Sequence, residues 1–321
     1  MRILTAAALA SLSPAVLIDA LQSAFADDAG VTTPLRSVHG LLAPGPQGGL
    51  YLMPAWSDRS AAVKLITFLP DNPRSGRPAA QGLIVLFDRL TGAPTLIADG
   101  ASVTNLRTAA VSALASRYLS REASSHLLIL GAGALAPYLA QAHVSVRPIR
   151  RLSLWARRRE ASLALAEALR ARLPHIQIES VNDLAAAAAS ADIISCATSA
   201  SAPVLEGRWI RPGVHVDLVG AHSLTTREAD DAVVARAAIW FDTDAALIEA
   251  GDLASPLATG AIDREQIRGG LGDLVRQGAS PRSDTDVTVF KSVGAAIEDL
   301  AAVEHLAHLA EAQGWFSSAA R

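Results

Sequence analysis

The sequence contains a single cysteine, Cys196, and aromatic residues make up only 4% of its 321 residues. One cysteine excludes an intramolecular disulfide and a metal site built from several thiolates, and this usage is typical of a reducing compartment. Basic residues (28) and acidic residues (31) nearly balance to a formal charge of −3, and no segment combines basic residues with interleaved aromatics. We therefore expect neither a nucleic-acid partner nor a metal site.

The N-terminus lacks an apolar run long enough to cross a membrane. Ser13, Pro14 and Asp19 interrupt it, whereas a spanning helix needs roughly 20 apolar residues. Arg2, an alanine-rich run and Ala-Phe-Ala have the composition of a secretory leader, but Ser13 and Pro14 also supply an N-cap and a first-turn proline. The apolar positions that follow at helical spacing are Val16, Leu17, Ala20, Leu21, Ala24 and Phe25. We expect two capped helices, a retained N-terminus, no membrane partner and a cytoplasmic protein.

Residues 31–100 alternate short apolar runs with turns, a pattern typical of a mostly antiparallel sheet. The runs are GGLYLMPAWS, AAVKLITFLP and QGLIVLFDRLTGAPTLIAD, in which LTGAP reads as a hairpin connection. Residues 103–121 change to helical spacing. The candidates for the buried face of this helix are Leu106, Ala110, Ala113, Leu114 and Leu119.

After residue 122 strands and helices alternate. The strands HLLIL, RRLSLWA, IQIES and ADIISCAT are separated by helical segments, the first at residues 134–144. This alternation predicts an α/β fold with a doubly wound parallel sheet of the Rossmann type, which GVHVDLVG and AAIWFDT extend. We expect an NAD(P)-binding Rossmann domain at 123–291, inserted into a mixed α+β substrate-binding and dimerisation domain of residues 1–122 and 292–321.

A glycine turn follows the first of these strands. Gly131, Gly133 and Ala136 form G-x-G-x-x-A, the pattern that holds a dinucleotide pyrophosphate between a strand and a helix N-terminus. Gly131 permits the tight turn, Gly133 lets the backbone approach the phosphates, and Ala136 lets the helix pack on its strand. Ala134 and Leu135 complete the predicted cofactor turn. The alternative is an ordinary tight turn between a strand and a helix.

The end of the second strand distinguishes the two nicotinamide cofactors. A carboxylate there normally accepts a hydrogen bond from the ribose 2′-hydroxyl of NAD, whereas arginine accommodates the 2′-phosphate of NADP. This sequence reads WARRRE. The side chain of Ala156 cannot accept a hydrogen bond from the ribose, whereas Arg157 and Arg158 can bind a phosphate. We expect NADP(H) to be favoured over NAD(H). A solvated basic start to a helix is the alternative.

Three cations lie in unusual surroundings in the first predicted domain. Lys64 interrupts an apolar strand and shares a face with Ala62 and Ile66, so it is either an edge-strand charge or a buried amine with a lowered pKa. Arg107 lies early in a helix whose other inward positions are small or apolar, and Arg36 stands in TTPLRSV. Together these cations suit a substrate that carries a carboxylate.

The order of several motifs resembles the ornithine cyclodeaminase and μ-crystallin family over nearly the whole chain. The most specific are VKLITFLPDN and TNLRTAA, and others are LFDRLTGAPTLIADGASV, LLILGAGALA, ADIISCATSASAPVL and VGAAIEDLAAV. The family includes ornithine cyclodeaminases, ketimine and Δ1-pyrroline-2-carboxylate reductases, and some alanine and opine-type dehydrogenases. The resemblance implies chemistry at the Cα–N bond of an amino acid or its imine, in a homodimer.

The resemblance also implies roles for particular residues. The substrate-binding positions fall on Arg36, Met53, Lys64 and Arg107. The two arginines and the lysine would hold the substrate carboxylate, and Lys64 would also supply or accept a proton. The implied cofactor-lining positions outside the glycine turn and the WARRRE segment are Thr108, Ala197, Thr198 and Val219.

One turn departs from the cyclodeaminase pattern. Cyclodeaminases carry an aspartate after a VGG turn, where it engages the substrate amine, but here the turn reads VGAH and ends in His222. The asparagine usual before the turn is replaced by Asp217, as in the pyrroline-carboxylate reductase branch. We include Asp217 and His222 among the catalytic candidates. His222 is either a proton donor near neutral pH or a solvated loop histidine.

The sequence thus favours an NADPH-dependent reductase that converts a cyclic ketimine carboxylate, such as Δ1-pyrroline-2-carboxylate, to L-proline or a similar product. The alternatives are an ornithine cyclodeaminase that releases ammonia, an alanine or opine-type dehydrogenase, and a crystallin-like protein that binds NADPH without turnover. They differ in net redox change and in ammonia release, so an assay separates them.

Overall fold

The computed structural model describes residues 1–41, 48–278 and 282–315. The chain divides into unit 1, Met1–Thr108 with Ala295–Arg321, and unit 2, Ala109–Gly294. The first border lies at 108/109, inside a helix, where the sequence suggested 122/123, and the second lies at 294/295 where it suggested 291/292. None of the described helices is both long and apolar enough to cross a membrane.

The elements of the described ranges are numbered in chain order. The strands are β1 (Arg2–Leu4), β2 (Ser37–Gly40), β3 (Gly49–Trp56), β4 (Ser60–Phe68), β5 (Ala80–Asp88), β6 (Pro94–Asp99), β7 (His126–Leu130), β8 (Arg151–Trp155), β9 (Gln177–Ser180), β10 (Ile193–Cys196), β11 (His215–Leu218), β12 (Ala237–Phe241), β13 (Ile267–Gly270) and β14 (Val287–Lys291). The α-helices are α1 (Ala6–Leu9), α2 (Ala15–Ala26), α3 (Gly100–Leu119), α4 (Ala136–Val146), α5 (Arg159–Arg172), α6 (Leu184–Ser190), α7 (Asp231–Val234), α8 (Ala246–Glu249), α9 (Gly251–Thr259), α10 (Leu271–Gln277) and α11 (Ala296–Ala312).

Unit 1 contains a sheet in the order β1-β6-β5-β4-β3-β2. Strands β2 to β6 pair antiparallel, as the sequence predicted, whereas β1 pairs parallel with β6 and was not foreseen. Burial alternates along β4, where Ala62, Lys64 and Ile66 are buried and Val63 and Leu65 are half-exposed. The alternation follows from the pleat, which points successive side chains to opposite faces.

Helix α11 covers the buried face of this sheet. It packs against β3, β4 and β5, and α2 packs against α11. Helix α2 begins at Ala15, one residue later than the predicted first-turn Pro14, and buries Leu17, Ile18, Leu21 and Phe25. The apolar stripe of the N-terminal segment is thus part of the core of unit 1.

Unit 2 contains an entirely parallel sheet in the order β13-β12-β14-β11-β10-β7-β8-β9. The chain runs from β7 outward through β8 to β9, then returns to β10 on the other side of β7. In doubly wound sheets this reversal opens a crevice at the carboxyl ends of the strands, where ligands bind. The predicted α/β fold class is confirmed. Strands β13 and β14 were not predicted, and β14 lies between β11 and β12.

Candidate active site

Lys64 occupies an interior position of the sheet of unit 1. Strand β4 pairs with β3 on one side and β5 on the other, so the edge-strand interpretation of this lysine is wrong. Lys64 is only 2% exposed and lies opposite Met53 and Ile84 across the two ladders. Directly opposed residues share a face, so the amine lies among apolar side chains on the face that α11 covers.

Two carboxylates of α11 meet this amine and the nearby arginine. Lys64 Nζ lies 2.7 Å from Asp299 Oδ2, and Arg107 Nε donates to Asp299 Oδ1 at 3.0 Å. Arg107 Nη1 donates to Glu298 Oε2 at 2.5 Å. We call Lys64, Arg107, Glu298 and Asp299 the buried ion cluster, because each is at most 4% exposed. Two cations therefore face two carboxylates.

Burial sets the protonation equilibrium of this cluster. The pKa of Lys64 lies at about 8, below its ordinary 10.5, because burial and the neighbouring Arg107 charge outweigh the opposing effects of Asp299 and Glu298. Desolvation disfavours the charged form of an amine. Lys64 is therefore a stronger acid than a solvated lysine while still mostly protonated at about pH 7.

The other candidates of unit 1 are Met53 and Arg36 for the substrate and Thr108 for the cofactor, and each lies in or next to an element already described. Met53 is buried directly opposite Lys64, and Thr108 is buried next to Arg107 in α3. Arg36 is half-buried just before β2. Its neighbour Ser37, the first residue of β2, pairs with Leu52, the residue before Met53.

The glycine turn of unit 2 joins β7 to α4. Gly131 has a φ of +111°, and its N–H donates to Trp155 O at 2.8 Å. A Cβ at Gly131 would lie 2.4 Å from Ala197 O, so only glycine fits, whereas a Cβ at Gly133 would meet nothing within 4 Å. The backbone at Gly133 is thus open to an approaching ligand.

This turn fits a dinucleotide pyrophosphate. Helix α4 begins at Ala136, two residues later than predicted, and no side chain caps its N-terminus. Ala136 N and Tyr138 N donate to Gly133 O and Leu135 O, and Pro137 has no N–H, so the backbone of the turn before the helix is the part that would meet an anion. Ala134 and Leu135 form the turn before the helix. Ala136 is fully buried, in agreement with the expectation that a small residue is needed where the helix packs on its strand.

The WARRRE segment follows β8, the strand beside β7. Ala156 is half-buried, and Arg157 and Arg158 are exposed immediately before α5. The bond from Gly131 N to Trp155 O joins the end of this strand to the glycine turn. Both guanidinium groups thus belong to the same carboxyl edge of the sheet as the turn.

Two further loops leave the same edge of the sheet of unit 2. Ala197 and Thr198 follow β10, and Val219 follows β11, with Val219 N donating to Cys196 O at 2.9 Å. The Glu228 carboxylate joins these loops, because it accepts hydrogen bonds from Thr198 N and Gly220 N, both at 2.6 Å. Sequence reasoning missed Glu228.

Asp217 lies inside unit 2 and is fully buried on β11. Its carboxylate accepts hydrogen bonds from Ser112 Oγ at 3.0 Å and Ser195 Oγ at 2.6 Å, and lies 3.4 Å from His143 Nε2. Burial alone would raise the pKa of Asp217, but the hydrogen bonds and charge of His143 and the bond from Ser195 outweigh it and lower the pKa. The carboxylate is an internal acceptor in the ionised state.

His222 lies in the loop after β11 and is half-buried. Its Nδ1 is 3.2 Å from Gly220 O, so the backbone of the turn orients the ring. Among the described residues no group of three or more His, Cys, Asp or Glu side chains is arranged to hold a metal ion.

The residues that sequence reasoning missed are all buried charges. Glu298 and Asp299 stand in the apolar segment VGAAIEDLAAV, and Lys291 ends the mostly apolar strand VTVFK, so charge within an apolar run was the available signal. Glu228 stands in the polar segment TTREADD, where no local pattern distinguishes it from a solvated residue.

Comparison with known proteins covers almost the whole chain. A model of the ornithine cyclodeaminase/mu-crystallin family matches residues 8–313. A Δ1-pyrroline-2-carboxylate reductase of Paracoccus denitrificans is 40% identical over 284 residues, which are 87% of this chain and 89% of that protein. The structure of the Thermococcus litoralis Δ1-pyrroline-2-carboxylate reductase in complex with NADH and L-proline has a TM-score of 0.93 and 30% identity, covering 98% of both chains.

A second solved structure is an archaeal alanine dehydrogenase dimer with bound NAD. It has a TM-score of 0.90 and 25% identity, covering 99% of this chain and 98% of that chain. The family match spans both units and includes the lysine strand, the arginine helix and the glycine turn. The family resemblance drawn from the sequence is confirmed: the chain belongs to the ornithine cyclodeaminase/mu-crystallin family.

Proposed function

We propose that the protein is an NADPH-dependent reductase of cyclic ketimine carboxylates, and that it converts Δ1-pyrroline-2-carboxylate to L-proline. The observation that carries the proposal is the buried ion cluster, in which carboxylates of α11 fix an amine of lowered pKa from β4 and an arginine from α3. Similarity to a reductase solved with NADH and L-proline supports the same reaction.

Arg107 and Arg36 bind the substrate carboxylate in this proposal. Glu298 and Asp299 hold the Arg107 guanidinium in place, so its planar set of N–H donors is ordered before the substrate arrives. The buried ion cluster is neutral by itself, and Arg36 adds a positive charge.

Lys64 supplies the proton. A bound nicotinamide dinucleotide supplies the hydride that reduces C2 of the imine. As the C=N double bond becomes single, the nitrogen gains basicity, and Lys64 donates a proton to it. Asp299 orients the amine through the 2.7 Å contact and stabilises its charged form before transfer. Met53 limits the space beside the amine.

Gly131, Gly133, Ala134 and Leu135 hold the pyrophosphate through their backbone in this proposal, and the loops at Ala197, Thr198 and Val219 line the nicotinamide half. Asp217 has a positioning role here, because its carboxylate is occupied by internal donors of unit 2. His222 remains a candidate second proton donor in the loop after β11. A cytoplasmic location remains a prediction from the sequence.

The purified protein is expected to reduce Δ1-pyrroline-2-carboxylate and to release little or no ammonia from ornithine. The reason is that His222 stands where the cyclodeaminase pattern has an aspartate to engage the substrate amine. NADPH absorbance with a panel of cyclic imines, and ammonia release with ornithine, measure the two activities. The variant His222→Asp is the matched probe, because it restores the carboxylate without altering the buried ion cluster.

Three outcomes distinguish the candidates. Imine reduction without ammonia release supports the reductase. Conversion of ornithine to proline and ammonia at a rate rivalling imine reduction would make cyclodeaminase the better description. Tight NADPH binding without turnover of imines, amino acids or ornithine would instead support a binding protein.

NADPH is expected to bind more tightly than NADH by about tenfold to a hundredfold, because charge-assisted hydrogen bonds contribute about 1.5–3 kcal/mol. The contacts would come from Arg157 and Arg158, which are exposed at the end of β8. Calorimetric titration of both cofactors, repeated with Arg157→Ala, measures the preference. Arg172→Ala is the control, because it removes an exposed arginine from the other end of α5. Equal affinities in the wild type would refute the assignment.

The face of the unit 1 sheet opposite Lys64 supports a proposal for the oligomeric state. Val63, Leu65 and Leu83 lie on this face, and Leu83 is 45% exposed. An open apolar sheet face is typical of an interface. We therefore propose a homodimer formed through this face, as the family resemblance implied.

Leu83→Arg is expected to convert the dimer to a monomer, because it places a charge at the centre of an apolar face. Light scattering checks the mass against the 33.3 kDa of one chain. Leu163→Arg is the matched control, since Leu163 is 46% exposed on α5 of unit 2. A wild-type protein that stays monomeric at micromolar concentration would contradict the proposal.

A further inference from the structure

Unit 2 contains a second group of buried charges, formed by Glu228, Asp252 and Lys291. All three are fully buried within the chain. Asp252 Oδ2 lies 3.2 Å from Lys291 Nζ, which also donates to Leu218 O at 3.1 Å. Burying three charged side chains is costly unless they are paired or hydrogen-bonded. The groups that these three side chains contact therefore indicate their role.

The two oxygens of Glu228 serve two different loops. Oε1 accepts from Thr198 N at 2.6 Å and from Thr198 Oγ1 at 2.9 Å, in the loop after β10. Oε2 accepts from Gly220 N at 2.6 Å and from Ala221 N at 3.3 Å, in the loop after β11. One carboxylate thus bridges both loops at the carboxyl edge of the sheet.

The backbone of Glu228 is itself held in place. Its N–H donates to Asp252 Oδ1 at 2.8 Å, and its carbonyl oxygen accepts from Val204 N and Leu205 N, both at 2.9 Å. Asp252 is in turn paired with Lys291 on β14. The bridging carboxylate therefore has a rigid base built from α9 and β14.

The two bridged loops also approach each other closely. A Cβ at Gly220 would lie 2.0 Å from Thr198 O and 2.5 Å from Glu228 Oε1, so only glycine fits there. On the other side, Ala197 O lies against Gly131, where a Cβ would be 2.4 Å away. The loop after β10 is thus enclosed by the glycine turn and the Gly220 turn.

We propose that Glu228 is a positioning residue that sets the spacing of the Thr198 and Gly220 loops and thereby the affinity for the nicotinamide half of the cofactor. This inference rests on the proposed function. In a doubly wound sheet the ribose next to adenine is read at the end of the second strand, here β8, which leaves the β10 and β11 loops for the other mononucleotide.

The charge of Glu228 fits this role. Burial raises the pKa of Glu228 to about 7, with the Lys291 charge on β14 opposing that rise and Asp252 on α9 adding to it. Cys196 of β10 faces the same group, and burial raises the pKa of its thiol, so it stays neutral. The carboxylate is thus ionised, and able to accept from both loops, above about pH 7.

Glu228→Gln is expected to weaken NADPH binding by about tenfold to a hundredfold, because the amide NH2 would face backbone donors of one loop. Glu228→Asp keeps the charge but shortens the reach, so a smaller loss is expected. Binding of 2′,5′-ADP, which lacks the nicotinamide half, is expected to stay within about twofold of the wild type in both variants. Fluorescence or calorimetric titration measures these affinities without turnover.

The control is Asp192→Asn. Asp192 Oδ2, like the Glu228 carboxylate, accepts hydrogen bonds from two backbone N–H groups, those of Ser125 at 2.8 Å and His126 at 3.0 Å. These contacts lie at the amino ends of β10 and β7, the opposite edge of the sheet from the cofactor loops. The Asp192→Asn variant is expected to have a lower melting temperature but unchanged affinities for NADPH and 2′,5′-ADP. In steady state, Glu228→Gln is expected to raise the KM for NADPH more than it lowers kcat.

Several outcomes would overturn the inference. If folded Glu228→Gln and Glu228→Asp bind NADPH as tightly as the wild type, Glu228 does not position the cofactor loops. If 2′,5′-ADP binding falls in parallel with NADPH binding, the residue acts only on the stability of the whole unit. If the wild type itself binds neither ligand, the proposed cofactor is wrong, and that failure is distinct from the other two.

Discussion

Lys64→Met is expected to lower kcat for imine reduction by about 100- to 10,000-fold, the range over which a positioned general acid contributes. Lys64 is the proposed proton donor, and its pKa of about 8 lies near working pH. The variant loses this donor. The substrate carboxylate keeps both arginines, so the KM should change much less than kcat. Steady-state assays with NADPH and Δ1-pyrroline-2-carboxylate measure the split.

The pH profile provides a second readout of the same prediction. The protonated amine is the donor, so kcat of the wild type should be sustained below about pH 8 and fall as the pH rises through that value. The Lys64→Met variant should lose this alkaline limb, because no amine remains to deprotonate. A wild-type kcat that rises above about pH 8 would contradict the assignment.

The Lys64→Met variant also changes the net charge of the buried ion cluster, so a control must separate this effect from the loss of the proton donor. Removing Lys64 leaves Arg107 with two buried carboxylates, and breaking a buried pair costs about 3–5 kcal/mol of stability. The double variant Lys64→Met with Asp299→Asn restores neutrality. It is expected to recover much of the lost melting temperature but not the turnover. Recovery of turnover would show that Lys64 is structural.

Arg107→Ala is expected to lower kcat/KM by about 30- to 1,000-fold, equivalent to about 2–4 kcal/mol, mainly through a higher KM. The guanidinium is proposed to bind the carboxylate in the ground state and the transition state alike. Substrate titrations at fixed NADPH separate the two parameters. This split is the reverse of the one expected for Lys64.

Two further variants separate binding from folding. Arg107→Lys keeps a cation beside Glu298 and Asp299 but loses the planar fork, so an intermediate KM is expected. Arg147→Ala removes a half-buried arginine that donates to Ser116 O and Ser120 O in unit 2. It should reduce stability with little effect on KM. An unchanged KM in folded Arg107→Ala would remove the carboxylate assignment.

Local patterns in the sequence determined the class of the fold and much of the candidate site. The glycine turn, the parallel strands around it and the antiparallel hairpins of unit 1 each follow from spacing within about a dozen residues, where backbone geometry repeats with period 2 or 3.6. Lys64 was identified because a charge in an apolar strand is conspicuous. Its burial was one of two interpretations that the sequence left open.

Only the tertiary structure decided how distant segments pair. Strand β4 is interior because β3 and β5 both pair with it, and β14 enters the sheet beside β11 although it follows β13 in the chain. Lys64 and Arg107 meet Glu298 and Asp299, and Glu228 meets Thr198 and Gly220, across many intervening residues. Local periodicity reports which face of an element is apolar. It cannot report which distant charge will lie opposite, because that depends on the order in which strands and helices pack.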